Sequence, residues 1–404
     1  MLRRRALLAA ASAAPFIPAT PAIVRAAETP GVTSTEIRIG GTAAYSGPAS
    51  AYGVIGKAHA ATFQWFNDQG GAGGRKVKFL SYDDAYSPPK AIEQIRRLVE
   101  QDEVACVSNT LGTASNSAIV KYLNQKKVPH LFVGSGADKW GNYQEHPWTI
   151  GWQPSYRTES QIYAHYALKA KPGAKIGILY QNDDFGKDYL VGVRDVLKDQ
   201  FDKTVTTASF EVSDATIDSQ VISLRGAGLD VLISAATPKF AAQIIRKMAD
   251  LNWKPLHILT NVSTSVGAVM EPAGPNNGID IISSAYAKDP TDPRWKDDAG
   301  LAHWRSVMAK YLPDADISDS FYVYGYGATM TTIHVLRACG DDFSRENLMK
   351  QATSLNNVEI GSLLPGIKLN SSATNFHPIR QMQLMRWTGK TWDLFGEVLE
   401  GSSA

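Results

Sequence analysis

The chain has 404 residues, more than one ordinary domain holds, and a hydrophobic share of 44% that is ample for more than one core. A formal net charge of +2, with no basic block in the body of the sequence, leaves no electrostatic footprint for nucleic acid as a partner. Only two cysteines are present, and export would permit a disulfide between them. Cys106 sits in the apolar run Val104-Ala105-Cys106-Val107 and Cys339 closes a helical pattern, so both are expected as buried free thiols.

The first residues, Met1-Leu2-Arg3-Arg4-Arg5, lead into the apolar run Ala6 to Ala11, which is the pattern of an export signal. The apolar core ends at Pro15 and Pro18, short of the roughly 20 residues a membrane span needs. Val24-Arg25-Ala26 offers small residues for a signal peptidase, so residues 1–26 are expected to be removed and the mature protein to be periplasmic. The consecutive arginines also suit the twin-arginine route, and the route stays open. Cleavage removes Arg3, Arg4, Arg5 and Arg25 and no acid, taking the formal charge from +2 to −2. No later stretch reaches spanning length without charges.

Strand patterns then alternate with amphipathic helix patterns. Strands are expected at Ile37–Gly40, Val77–Leu80, Val104–Ser108, His130–Val133, Lys175–Tyr180, Val231–Ala235 and His257–Leu259. Between them helices are expected at Tyr52–Gln69, Pro89–Gln101, Ser115–Lys126, Arg157–Lys169, Gly186–Lys198, Ser219–Ala227 and Phe240–Leu251. This order predicts an α/β fold of parallel sheets covered on both faces. The glycine-rich run Gly70 to Gly74 follows a helix and precedes a strand, the reverse of a phosphate loop, and reads as a helix exit. Near Tyr286 the pattern changes. The loop Lys288-Asp289-Pro290-Thr291-Asp292-Pro293 precedes helices at Trp295–Tyr311 and Phe321–Cys339, and Gln381–Trp387 with Thr391–Val398 reads as a hairpin.

Ligands of parallel sheets bind beyond the carboxyl ends of the strands. Three such loops in the first half are small and hydroxyl-rich: Ala43 to Gly53, Asn109 to Ser115, and Gly134 to Ala137. Any one Ser or Thr there is explained as a helix cap. Three converging loops instead point to a site where backbone donors, a hydroxyl and a helix N-terminus hold a carboxylate. Loops Asn182–Gly186, Ala236–Phe240 and Thr260–Ser263 face them from the second half, and Phe185, Tyr45, Tyr52, Trp140 and Trp152 are candidates for an aromatic wall, the two tryptophans fitting core packing better. Asp183 and Asp184 read as caps and dipole partners of a helix rather than metal ligands. His59, His130, His165 and His257 lie on elements as structural residues, and no nucleophile or metal spacing supports catalysis, so neither cofactor nor metal is expected.

Several motifs, in order and spacing, resemble the type I periplasmic solute-binding proteins of the leucine/isoleucine/valine-binding kind. They are Tyr45-Ser46-Gly47-Pro48 with Tyr52-Gly53, Phe66 to Gly71, Tyr82-Asp83-Asp84 with Pro88 and Pro89, and Tyr180 to Gly186. The resemblance implies two doubly wound parallel-sheet lobes joined by three crossovers: 36–153 with 287–374, and 154–286 with 375–400. The lobes would close on a ligand, a hinge motion familiar for periplasmic binding proteins. It further implies the permease of an ABC transporter in the inner membrane as partner, with ligand contacts at Tyr52, Thr113, Gly134, Ser135, Gly136 and Phe185; the strand-end loops add Tyr45, Thr237 and Asn261 as candidates, and a monomer is expected. Amino-acid-binding members place an acid in the loop here reading Thr260-Asn261-Val262-Ser263, and a pocket tyrosine where Thr237 or a neighbour stands. Both departures put an aliphatic amino acid in doubt, unless Asp183, Asp184 or Asp138 meets the ammonium, and the small organic carboxylate stays open between an amino acid and an aromatic or apolar acid. Two other readings stay open, a soluble ligand sensor and an exported enzyme.

Overall fold

The computed structural model describes residues 29–400; the expected signal segment lies outside them. Two sheets form the frame. The first holds five parallel strands in the order β2-β1-β3-β4-β5: β1 Glu36–Ala43, β2 Lys76–Asp83, β3 Cys106–Ser108, β4 His130–Val133 and β5 Thr149–Gly151. Its helices are α1 Gly53–Asp68, α2 Pro88–Glu100 and α3 Thr113–Gln125. The second sheet has the order β12-β11-β10-β9-β8-β6-β7, built from β6 Ile176–Gln181, β7 Val205–Phe210, β8 Val231–Ala235, β9 Leu256–Leu259, β10 Ile282–Ala285, β11 Gln381–Trp387 and β12 Trp392–Glu400. Helices α4 Tyr156–Ala170, α5 Asp184–Leu197, α6 Asp218–Gly226 and α7 Pro238–Asp250 accompany it.

The central strands follow from composition. β8 (Val231-Leu232-Ile233-Ser234-Ala235) is buried along its whole length, as a parallel strand covered on both faces must be. The second sheet departs from a purely parallel one at its end, where β10–β11 and β11–β12 pair antiparallel. The expected hairpin is thus the edge of this sheet, with Trp387 and Trp392 packed together beneath it (centroids 5.3 Å).

After β10 the chain returns to the first lobe to add α8 Ala299–Tyr311, α9 Ser320–Ala338 and α10 Arg345–Ala352, α8 and α9 packing on α1, before leaving again for β11. With the passage after β5, the chain crosses between the lobes three times. Cys106 and Cys339 are buried free thiols, and burial pushes both up to about 12. His59, His130 and His257 are buried and neutral, held down to about 4, 3 and 3 by loss of solvent.

Candidate ligand-binding site

The carboxyl ends of the strands of both sheets face one cleft, as the topology of open α/β sheets requires. On the first lobe the β3–α3 loop enters it. Gly112 takes φ 92° there, and a Cβ on it would lie 2.4 Å from the Tyr86 ring, so only glycine lets the loop pass under that tyrosine. Gly112 N donates to Gly134 O (3.0 Å) and Gly134 N to Thr110 O (2.9 Å), stitching the β3 and β4 loops together. In β4, Phe132 has φ 55°, a left-handed conformation costly for a bulky residue, and the register with β5 shifts there, turning the chain toward Gly134.

α3 begins at Thr113 with no side chain capping it, so its first N–H groups open toward the cleft. The hydroxyl network fixes the direction of one proton. Ser135 Oγ accepts from Trp140 Nε1 (2.9 Å) and Ala137 N (3.2 Å), which uses both lone pairs, so its own proton goes to Thr113 Oγ1 at 2.7 Å. The Thr113 proton is thereby free for a ligand oxygen.

One cavity, about 890 Å³ counting its open mouth, is lined by Tyr52, Thr113, Gly134, Phe185, Thr237 and Asn261 among others. The remaining expected site residues stand elsewhere. The Tyr45 hydroxyl is tied to Ser81 Oγ at 2.6 Å with its ring against Gly56, away from the cavity. Ser135 lies behind Thr113, and Gly136 is buried against Pro154 and Tyr156, whose N–H its carbonyl accepts (2.7 Å). Trp140 and Trp152 are core residues with their indole N–H groups on Ser135 and Thr331. The Thr237 hydroxyl is engaged by Gln181 (3.1 Å).

Sequence reasoning missed much of the aromatic wall: Tyr86, Tyr156, Tyr286, Phe321 and Tyr324 also line the cavity. Tyr52 packs edge-on against Phe321 (4.9 Å) and Tyr156 against Phe185 (4.7 Å). Gln153, on the first crossover, accepts from the Tyr324 hydroxyl (2.9 Å). It also missed Glu159 of α4, fully buried behind the site. Its carboxylate accepts from Asn261 N (2.8 Å), Asn261 Nδ2 and the Tyr163 hydroxyl, while burial pushes it up to about 7. The acid absent from the Thr260–Ser263 loop therefore stands one layer deeper, holding Asn261 in place.

The lobes touch across the cleft at named bonds. The Tyr52 hydroxyl donates to Val262 O (2.9 Å), and Ser265 Oγ donates to Asp319 (2.8 Å). Lys139 Nζ and Ser117 Oγ both reach Asp184 Oδ2 (2.7 and 3.0 Å), and Asp138 N donates to Asp188 Oδ2 (2.8 Å). Burial raises Asp184, but Lys139 and Ser117 more than offset it and hold the carboxyl low. Asp188, with burial and the charges of Asp138 and Asp184 acting together, is pushed up to about 7. Among the described residues no group of three or more His, Cys, Asp or Glu stands as a metal would require, and no helix is long and apolar enough to cross a membrane.

Residues 36–391 match the family model described as periplasmic binding protein. The chain is 22% identical over 373 residues to a Leu/Ile/Val-binding protein homolog 7 of Brucella suis, covering 88% of this chain and 90% of that one. Among solved structures, a branched-chain amino acid ABC transporter protein from Thermus thermophilus with bound valine superimposes with a TM-score of 0.82 at 13% identity, covering 92% and 98% of the two chains. A fatty acid ABC transporter substrate-binding protein from Thermomonospora curvata gives 0.77 at 20% identity, covering 93% and 95%. With its two α/β lobes, threefold crossing and ligand-sized cleft, the chain belongs to the periplasmic binding protein family.

Proposed function

We propose that this protein is the substrate-binding component of an ABC importer, capturing a small carboxylate with an aromatic or apolar body and presenting it to an inner-membrane permease by closure of the two lobes. The observation that carries the reading is the pairing, in one cavity, of a carboxylate holder with an aromatic box. Thr113 offers a free hydroxyl proton at the uncapped start of α3, and around it stand five tyrosines and two phenylalanines. A carboxylate gains there from helix N–H groups and a charge-assisted hydrogen bond, while flat apolar bodies gain from aromatic packing. The contacts that join the lobes, Tyr52–Val262 and Lys139–Asp184, are of the kind closure would make and opening would break. Periplasmic location accords with the family.

The test is a thermal-shift screen of the mature chain, residues 27–404, with aromatic acids (benzoate, phenylacetate), medium-chain fatty acids and aliphatic amino acids, each beside its primary amide. Aromatic acids are expected to raise Tm and their amides not to. A rise with no acid, or equal rises with acids and amides, refutes the reading.

A further inference from the structure

Two charged residues, Lys288 and Asp289, line the cavity among the described residues. The buried Lys288 ammonium is satisfied by Asp298 Oδ2 (2.7 Å) and Gly361 O (2.8 Å). Asp289 differs. One carboxylate oxygen, Oδ1, accepts both Thr291 N (2.8 Å) and Thr291 Oγ1 (2.6 Å), which fixes the side chain in a tight local turn. Among the described residues no donor engages Oδ2.

Four other acids near the cleft are engaged by protein groups, and Asp84, whose Oδ2 is buried without a partner, does not line the cavity. Asp183 accepts from Gln181 Nε2 (2.7 Å) and Gly186 N (3.3 Å); Asp184 pairs with Lys139; Asp138 accepts from Ser155 (2.6 Å); Glu159 holds Asn261. Asp289 also stands apart from the carboxylate holder. It belongs to the second crossover, and Asp292 and Asp319 are its charged neighbours. Those acting on Tyr86, beside Gly112, are Asp183 and Asp84. Burial pushes the Asp289 carboxyl up to about 6, a sign that little in the protein compensates its charge.

Resting on the carboxylate reading above, we propose that Asp289 is a specificity-determining residue: its free oxygen selects ligands that carry, on the body away from their carboxylate, an ammonium group. A purely apolar body would leave this carboxylate desolvated without a partner, and an ammonium supplies a charge-assisted bond in its place. The ligand class is then an aromatic carboxylate with a ring-borne cation, distinct from an α-amino acid, whose ammonium adjoins its carboxylate.

The experiment is calorimetric titration of the wild-type mature chain and Asp289→Asn with matched pairs: 4-(aminomethyl)benzoate against 4-ethylbenzoate, and the 3-substituted isomers of each. Asn keeps an Oδ1 to accept from Thr291, so the turn is retained. Wild type is expected to bind an aminomethyl acid at least about tenfold more tightly than its ethyl partner, the scale of one charge-assisted hydrogen bond. D289N is expected to lose that preference while binding the ethyl acids as well as wild type or better. Binding of the ethyl acids without preference, or an unchanged preference in D289N, overturns the role of Asp289 and leaves the carboxylate reading standing. No binding by any of the four acids overturns both.

Discussion

Replacing Thr113 by Val removes one hydroxyl and almost no volume, so its cost is set by the hydrogen bonds around that hydroxyl. Ser135 Oγ keeps its two incoming bonds from Trp140 and Ala137 but loses the acceptor for its own proton, a buried donor left unmade at about 1 kcal/mol or somewhat more. For a chain of this size that lowers Tm by only about 1–2 °C. The larger effect is on the ligand. A hydrogen bond to a charged group is worth about 1.5–3 kcal/mol, so the affinity for the best carboxylate falls roughly 10- to 150-fold. Thr113→Ser, which restores the hydroxyl, recovers most of it. The assay is titration calorimetry at 25 °C, well below either melting transition, so the two effects separate. A T113V dissociation constant within twofold of wild type would falsify the assignment of that proton to the ligand.

Two further outcomes concern the contacts between the lobes. Lys139→Ala breaks a partly exposed cross-cleft ion pair worth about 0.2–1 kcal/mol, so ligand affinity weakens roughly 1.5- to 5-fold at low salt. The difference vanishes near 1 M salt, where the Debye length is about 3 Å; a difference that persists there refutes an electrostatic latch. Asp188→Asn keeps an acceptor for Asp138 N while removing a carboxyl whose folded value is about 7, well above its unfolded one. The folded wild type therefore binds the extra proton between about pH 4 and 7, and its stability falls as pH rises through that window. D188N should gain about 1–2 kcal/mol relative to wild type on going from pH 4 to pH 8, after discounting for partial exposure, as read from urea midpoints. An equal difference at both pH values contradicts this.

Much of the frame was legible because the buried parallel strands have no polar alternation to confuse them: β6, β8 and β9 are near-continuous apolar runs. β7 was missed because Val205 to Ser209 is largely exposed and reads as a polar linker, and β5 because three residues carry no period. In the site, the loops carrying Thr113 and Gly134 were found by the rule that clefts form at strand ends. Tyr324 and Tyr156 escaped for a different reason. They sit within helices, and periodicity assigns an aromatic to the inner face without telling core from cavity. Asp289 looked like loop punctuation beside Pro290, and only the crossover's path gives it a place at the wall. Tyr45, beside the same first loop, was drawn the other way by Ser81, a partner 36 residues along the chain that no local pattern reveals.

The antiparallel edge of the second sheet bears on how such a chain is made. β10 ends at Ala285, yet the strand that pairs with it begins only at Gln381, and Trp387 and Trp392 fill the core beneath. The first lobe is incomplete in the same way until α8 and α9 have been synthesised to cover α1. Neither half can therefore finish folding as it emerges, because each waits for segments far along the chain, and such distant pairings form slowly. A chain cut before Gln381 would leave β10 as a bare edge open to pairing with other chains, a route to aggregation rather than to a smaller working protein.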